Sequence, residues 1–280
     1  MTALDGRVLA TARRTLGPLT PVPDASLPPH LLLVATADGR RYVLKRHKTP
    51  HRFQAEVHAY ASWLPHLADH TPTLISADAA TLSLLLTHVP GRSATQLPGG
   101  SPAEWNAHHA AGRVLRLIHQ IPPGPHPKPD VAVYLAERMR WWSVRARNSS
   151  LISTAQLRAL HIKADVLAAT TLDRAVCHLD YQPRNWIVTP NGAVTVVDFE
   201  HTRLDARIRD FTRLCCRNWM IEPRLRQAFF NGYGHHPTQE DQVQLGLFAL
   251  LDAITALVRG HETGDPELLA HGRTVLTRLP

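Results

Sequence analysis

The segment HLDYQPRNW, residues 178–186, together with IVTPNGAVTVVDFE, residues 187–200, constrains this chain more than any other stretch. His178, Asp180 and Asn185 stand in front of two short apolar runs, and Asn191-Gly192 separates those runs. Asn-Gly between alternating apolar residues is a strong hairpin signal. A two-residue turn there makes facing residue numbers sum to 383, so Val188 faces Thr195, Trp186 faces Val197 and Asn185 faces Asp198. Pro190 has no N–H for the ladder, and a turn opened by one pair leaves that register unchanged. Opposed residues on one face have Cβ atoms about 4.5–5.5 Å apart. An amide oxygen and a carboxylate so placed suit one hard cation such as Mg2+. Asp180, in the loop that holds Pro183, is set to take a proton from a hydroxyl near the same ion. The plainer reading is a polar loop and a strand that ends on an aspartate.

Phosphoryl transfer needs such parts: cations that neutralise phosphate charge, and a group that positions the nucleophile. The protein-kinase pattern of H-x-D, an Asn four or five residues on, and a later D-F-G is met here by His178, Asp180, Asn185 and Asp198-Phe199-Glu200. That pattern also requires a strand lysine paired with a glutamate on the following helix. Lys45 ends the run YVLK, residues 42–45, and Glu56 lies in a helical pattern from about Pro50 to His66. Taken alone, Lys45 reads as an exposed lysine at a strand end.

The rest of the chain falls into two parts. Residues 1–16 read as a helix or frayed lead-in, and the proline-rich residues 17–30 as a weak strand and loop. The apolar runs 31–37 and 41–46 flank Asp38-Gly39, a second hairpin signal, and residues 81–89 read as a buried strand cut off by Pro90-Gly91. Helical spacing then dominates, at 103–121, 132–147, 154–170 and 242–260. The expected fold class is α+β, with a small β-rich N-terminal lobe, residues 1–89, and a larger, mainly helical lobe, residues 90–280.

Composition narrows the function classes. Apolar residues make up 44% and charged residues 19%, as in soluble globular proteins. No run of about 18 apolar residues suggests a membrane span, the N-terminus lacks a signal-peptide pattern, and a cytoplasmic location is expected. Three cysteines show no framework spacing, and no further ligand spacing accompanies His178 into a zinc site. The net charge of +8 is spread along the chain, which disfavours a nucleic-acid recognition arm and suits a polyanionic ligand such as a nucleoside triphosphate.

With VLK (43–45), FQAEVHAY (53–60), LLTHVPG (85–91), HLDYQPRN (178–185), TVVDFE (195–200) and DFTRL (210–214), the chain resembles the aminoglycoside phosphotransferase and choline kinase-like family, from about residue 15 onward. The resemblance implies a bilobal protein kinase-like fold, ATP and Mg2+ as cofactors, and transfer of the γ-phosphate to a hydroxyl of a small molecule. It implies that Lys45, held by Glu56, contacts the α and β phosphates, and that the backbone of Thr87, His88 and Val89 meets adenine. It also implies that Asp180 is the catalytic base or orients the acceptor, that Asn185 and Asp198 bind Mg2+, and that His178 and Asp210 support the loop. Two departures stand out: Leu179 occupies a place where the family usually has glycine, and DASLPPH, residues 24–30, replaces a glycine-rich phosphate loop.

For the acceptor, residues 91–280 show no acidic cluster, which argues mildly against a polycationic aminoglycoside. Asp252 interrupts the apolar run 247–258 and is either an acceptor contact or a structural partner of an arginine. Trp141-Trp142 offers an aromatic wall or, more simply, core packing. The leading expectation is a kinase of an antibiotic or related metabolite, monomeric or homodimeric, with no nucleic-acid or membrane partner. The alternatives are a metabolic kinase of an amino alcohol, sugar or homoserine-like acceptor, a catalytically inactive kinase-like binding module, and a basic nucleic-acid-binding protein.

Overall fold

The computed structural model describes residues 6–122 and 130–277. In chain order the elements are α1 (Gly6–Leu16), β1 (Leu19–Pro21), β2 (Leu31–Thr36), β3 (Arg41–Arg46), α2 (Pro50–Ser62), β4 (Leu74–Asp78), β5 (Ser83–Thr87), β6 (Arg92–Ser93), α3 (Pro102–Gln120), α4 (Val131–Asn148), α5 (Thr154–Ala168) and β7 (Arg174–Cys177). They continue with β8 (Trp186–Val188), β9 (Val194–Val196), β10 (Arg203–Ala206), α6 (Arg209–Arg213), α7 (Trp219–Ile221), α8 (Pro223–Tyr233), α9 (Gln239–Thr263) and α10 (Pro266–Leu276). The α+β class expected from the sequence is observed. β4, β6, β7 and β10, absent from the sequence reading, are added.

Two compact units form. The first comprises the residues up to Ile121, His178–Arg203 and Ala228–Gly234. Its five-stranded antiparallel sheet has the order β1-β2-β3-β5-β4, which places β3 in the centre. Tyr42 and Leu44 of β3 pack with Val8, Ala12, Leu19, Val34 and Leu85 in a core that includes α1. Strand side chains alternate, so Lys45 points to the opposite face. The helix α2 starts where Thr49 accepts from Arg52 N at 3.5 Å and Pro50 occupies the first turn. Its buried face carries Phe53, Glu56, Ala59 and Tyr60.

In the same unit β6, β8 and β9 form a three-stranded sheet. The pairing corrects the register expected from the sequence: Trp186 faces Val196, Ile187 faces Thr195 and Val188 faces Val194. The loop is Pro190-Asn191-Gly192, closed by Gly192 N to Thr189 O at 2.9 Å and Thr189 N to Ala193 O at 2.9 Å. Gly192 has φ +82°, as in a type I turn followed by a left-handed bulge residue, a frame that accepts proline at its first central position. Thr189 tightens it by donating to Ala193 O at 3.0 Å and bonding to the Asn191 side chain. Asn185 therefore faces Val197, whose N–H reaches Asn185 O at 3.0 Å, and does not face Asp198.

The second unit comprises residues 122–177, 204–227 and those from 235 on. It holds α4, α5, α9, α10 and the two-stranded sheet of β7 and β10. By length and composition α9 is apolar enough to cross a membrane, although it contains no uninterrupted apolar run of that length. It is a core helix, with Leu245, Leu247, Phe248, Leu251, Ile254 and Leu257 buried and Asp252 paired with arginines of its own unit.

Candidate active site

Glu56 is fully buried and gathers three donors. Lys45 Nζ reaches Glu56 Oε2 at 2.6 Å, His47 Nε2 meets the same oxygen at 2.6 Å, and Phe199 N donates to Glu56 Oε1 at 3.1 Å. One carboxylate on α2 thus joins the central strand to the Asp198-Phe199-Glu200 segment. Lys45 Nζ also contacts Asp198 Oδ1 at 2.6 Å. Burial alone depresses the Lys45 ammonium, but Glu56 and Asp198 together hold it above its usual range. Burial raises the Glu56 carboxyl, and Lys45 and His47 outweigh it, leaving Glu56 below the ordinary value. Asp198 follows the same balance: burial raises it, Lys45 lowers it more, and the net shift is downward.

Asp198 has φ +69°. Left-handed backbone is uncommon outside glycine and is most tolerated by Asn and Asp. With the register as observed, this turn of the backbone, rather than strand pairing, sends the Asp198 side chain toward Lys45. Asp198 Oδ2 makes no hydrogen bond among the described residues. Next to it, Arg52 Nη1 pairs with Glu200 Oε1 at 2.8 Å.

The loop before β8 is held from several sides. Asp180 N donates to His178 Nδ1 at 3.2 Å, which leaves His178 Nε2 to donate to Val197 O at 3.1 Å. The imidazole therefore ties the loop to the residue before Asp198. Tyr181 OH donates to Ala111 O at 2.7 Å, and Tyr181, Trp186 and Phe229 pack into a buried aromatic cluster, to which the His178 ring joins Phe199. The Asp180 carboxylate is buried and accepts from Gln182 Nε2 at 2.7 Å, from Asn185 Nδ2 at 3.0 Å and from Arg184 Nη2 at 2.7 and 3.0 Å. Asn185 Nδ2 also holds Asp180 O at 2.9 Å, and Asn185 Oδ1 makes no hydrogen bond among the described residues. Leu179, one of the two departures noted in the sequence, has φ +62°, a left-handed residue at a strained position.

The remaining expected residues are placed as follows. Thr87 ends β5, His88 N donates to Arg41 O at 3.1 Å, and Val89 N makes no hydrogen bond among the described residues. Of the residues replacing a glycine-rich loop, Asp24 accepts from Ser26 N at 2.9 Å, and His30, exposed, gives its carbonyl to Arg46 N at 3.0 Å. Asp210 and Asp252 lie in the second unit. Asp210 is buried at the start of α6. Asp252 contacts Arg213 Nε at 3.4 Å, Arg217 Nη2 at 3.4 Å and His271 Nε2 at 3.2 Å, which is the arginine pairing that the sequence offered as one alternative. Sequence reasoning missed His47, Gln182 and Arg184. His47 was findable as the same-face neighbour of Lys45, two residues on along the strand direction, and Arg184 as the residue four beyond Asp180.

Residues 29–245 match the profile of the phosphotransferase enzyme family. The chain belongs to that family. No curated protein sequence matches it significantly. Among solved structures, this phosphotransferase resembles APH(2")-IIa in its complex with gentamicin, with a TM-score of 0.71 and 16% identity over 100% of this chain and 98% of the other. It resembles the choline kinase LicA from Streptococcus pneumoniae, with a TM-score of 0.70 and 14% identity over 98% and 99%. It also resembles a macrolide 2'-phosphotransferase of type I, with a TM-score of 0.64 and 18% identity over 97% and 95%. At these identities the likeness concerns the fold, which is protein kinase-like.

Proposed function

We propose that this phosphotransferase is an ATP- and Mg2+-dependent small-molecule kinase that moves the γ-phosphate to an acceptor hydroxyl. The observation that carries the reading is Lys45, held at 2.6 Å from both Glu56 and Asp198 in the unit that also holds Asp180 and Asn185. Lys45 binds the α and β phosphates, with Glu56 and His47 fixing its ammonium. Thr87, His88 and Val89 present backbone groups to adenine, and the unengaged Val89 N–H supplies a donor. The unspent oxygens Asn185 Oδ1 and Asp198 Oδ2 fit a hard divalent cation. Mg2+, when bound, neutralises phosphate charge. Asp180 accepts the hydroxyl proton as the acceptor oxygen bonds to the γ-phosphorus and the bond to the β,γ-bridging oxygen breaks, releasing ADP. His178 and Asp210 are supports. We assign residues 1–89 to nucleotide binding and residues 90–280 to catalysis and acceptor binding on functional grounds, since the compact units divide the chain elsewhere.

An antibiotic is the first acceptor class to test, because one of the similar folds is APH(2")-IIa in complex with gentamicin and another is a macrolide 2'-phosphotransferase. A metabolic acceptor such as an amino alcohol is the second, because another is a choline kinase. Asp252 contacts the acceptor in this reading only by exchanging one of its three partners, Arg213, Arg217 or His271. The protein acts in the cytoplasm as a monomer or homodimer. The test is ATP consumption across a panel of hydroxylated antibiotics and metabolites, with Asp180→Asn as control. Transfer by the wild type with one acceptor class and its loss in the variant, with Mg-ATP binding kept, is expected. Full activity in the variant overturns the role of Asp180, and a wild type that binds no Mg-ATP overturns the kinase reading.

A further inference from the structure

Asp180 presents a difficulty to its own proposed role. A carboxylate offers about four lone-pair positions, and four contacts already fill them: Gln182 and Arg184 on Oδ1, Arg184 and Asn185 on Oδ2. An acceptor hydroxyl must displace one donor. Gln182 and Asn185 are buried, and a buried amide stripped of its partner is costly. Arg184 is different. Its side chain is 57% exposed, and one nitrogen, Nη2, spans both oxygens, whereas Nη1 and Nε make no hydrogen bond among the described residues. The guanidinium end of the pair is already solvated, and Asp180 keeps Gln182 and Asn185 as donors when the arginine leaves; a guanidinium with two unspent donors binds a planar, charged phosphoryl group well.

We propose that Arg184 is a catalytic arginine supplied by the loop itself, which leaves the Asp180 carboxylate when the acceptor hydroxyl arrives and turns onto the oxygens of the transferring γ-phosphoryl group. The inference rests on the kinase reading. Before binding, Arg184 compensates the buried charge of Asp180. During transfer the hydroxyl proton passes to Asp180, the acceptor oxygen–phosphorus bond forms, the β,γ-bridging oxygen–phosphorus bond breaks, and the guanidinium offsets charge on the equatorial oxygens. An arginine in cis serves this purpose in other phosphoryl-transfer sites.

In the test, water takes the place of the acceptor hydroxyl against Asp180. Wild type, Arg184→Ala and Arg184→Lys are titrated by calorimetry with Mg-ADP, without and with aluminium fluoride, which mimics the planar phosphoryl group. Fluoride is expected to tighten Mg-ADP binding to the wild type by about 100-fold, the scale of one donor to a developing charge. That gain should fall below about tenfold in Arg184→Ala, lie between in Arg184→Lys, and return in Arg184→Ala when guanidinium ion is added. Binding of Mg-ADP alone should be unchanged in all three. A merely structural arginine would not move the fluoride response. An equal response in wild type and Arg184→Ala, including none in either, overturns the proposal. A wild type that binds no Mg-nucleotide takes down the kinase reading itself.

Discussion

Asp198 and Asp252 are two half-buried carboxylates in different compact units, and both sit below the ordinary carboxylate range because hydrogen bonds and neighbouring positive charge outweigh burial. They differ in what is left over. Asp252 lies in a regular helix, and both of its oxygens are engaged: Oδ1 by Arg213 of α6, and Oδ2 by Arg217 and by His271 of α10. Asp198 lies at a left-handed position, binds Lys45 through Oδ1 alone, and keeps an unspent oxygen with 31% of its side chain exposed, against 16% for Asp252. A depressed carboxylate therefore does not by itself mark a site, since structural ion pairs shift pKa values too. Backbone strain joined to an unspent acceptor is the better sign.

Substitution at these two aspartates puts the contrast at risk. Asp198→Asn is expected to lower phosphoryl transfer at least about 10³-fold, measured as turnover with the acceptor found in the screen, while the thermal midpoint stays close to wild type because Lys45 keeps Glu56. Asp252→Asn should do the reverse. Removing one member of a half-buried ion cluster costs about 1–2 kcal/mol, readable by urea denaturation, with the Michaelis constant for Mg-ATP within about twofold of wild type. Asp252 also has a pH signature. Its folded pKa is depressed, so its stabilisation is present above the unfolded carboxylate value of about 3.9 and fades as pH falls below that toward the folded value. The stability gap between wild type and Asp252→Asn should therefore shrink on acidification from neutral pH to about pH 3. A large activity loss in Asp252→Asn with unchanged stability would erase the distinction.

Much of the site was legible in sequence because its chemistry is carried by residue identity at fixed spacing. Lys45, Glu56, Asp180, Asn185 and Asp198 were all singled out that way, and the structure brings the first two onto one ion pair and joins Asp198 to them. What was not legible depends on backbone detail. The Asn185–Asp198 apposition was argued from a two-residue turn, and the observed pairing is shifted by one residue, which reverses every face of a strand. Nothing in residue types alone announces that Asp198 has positive φ. His47 escaped notice because a histidine two residues past a strand lysine has no motif. Only the fold shows it buried on Glu56. β4 was missed because LISAD, residues 74–78, has one apolar pair and no alternation to report.

The turn itself offers the smallest and most discriminating change. Two hairpins of the first unit share one device: TADGR, residues 36–40, and TPNGA, residues 189–193. In each, the threonine N–H donates the closing bond, with Thr36 N to Arg40 O at 3.0 Å and Thr189 N to Ala193 O at 2.9 Å, the threonine hydroxyl bonds the Asp or Asn two residues on, and the glycine has φ +83° or +82°. A Cβ on either glycine would meet nothing within 4 Å, so alanine there costs only left-handed backbone strain. Gly39→Ala and Gly192→Ala should each lower stability by about 1 kcal/mol. Gly192 precedes β9 and hence Asp198, whereas Gly39 precedes β3 and hence Lys45. Because His178, Asn185 and Glu56 hold the Asp198 segment independently of the turn, neither variant should change turnover by more than about twofold once folded protein is counted. Loss of activity in Gly192→Ala alone, at equal stability, would mean that the turn, and not the loop contacts, sets the position of Asp198.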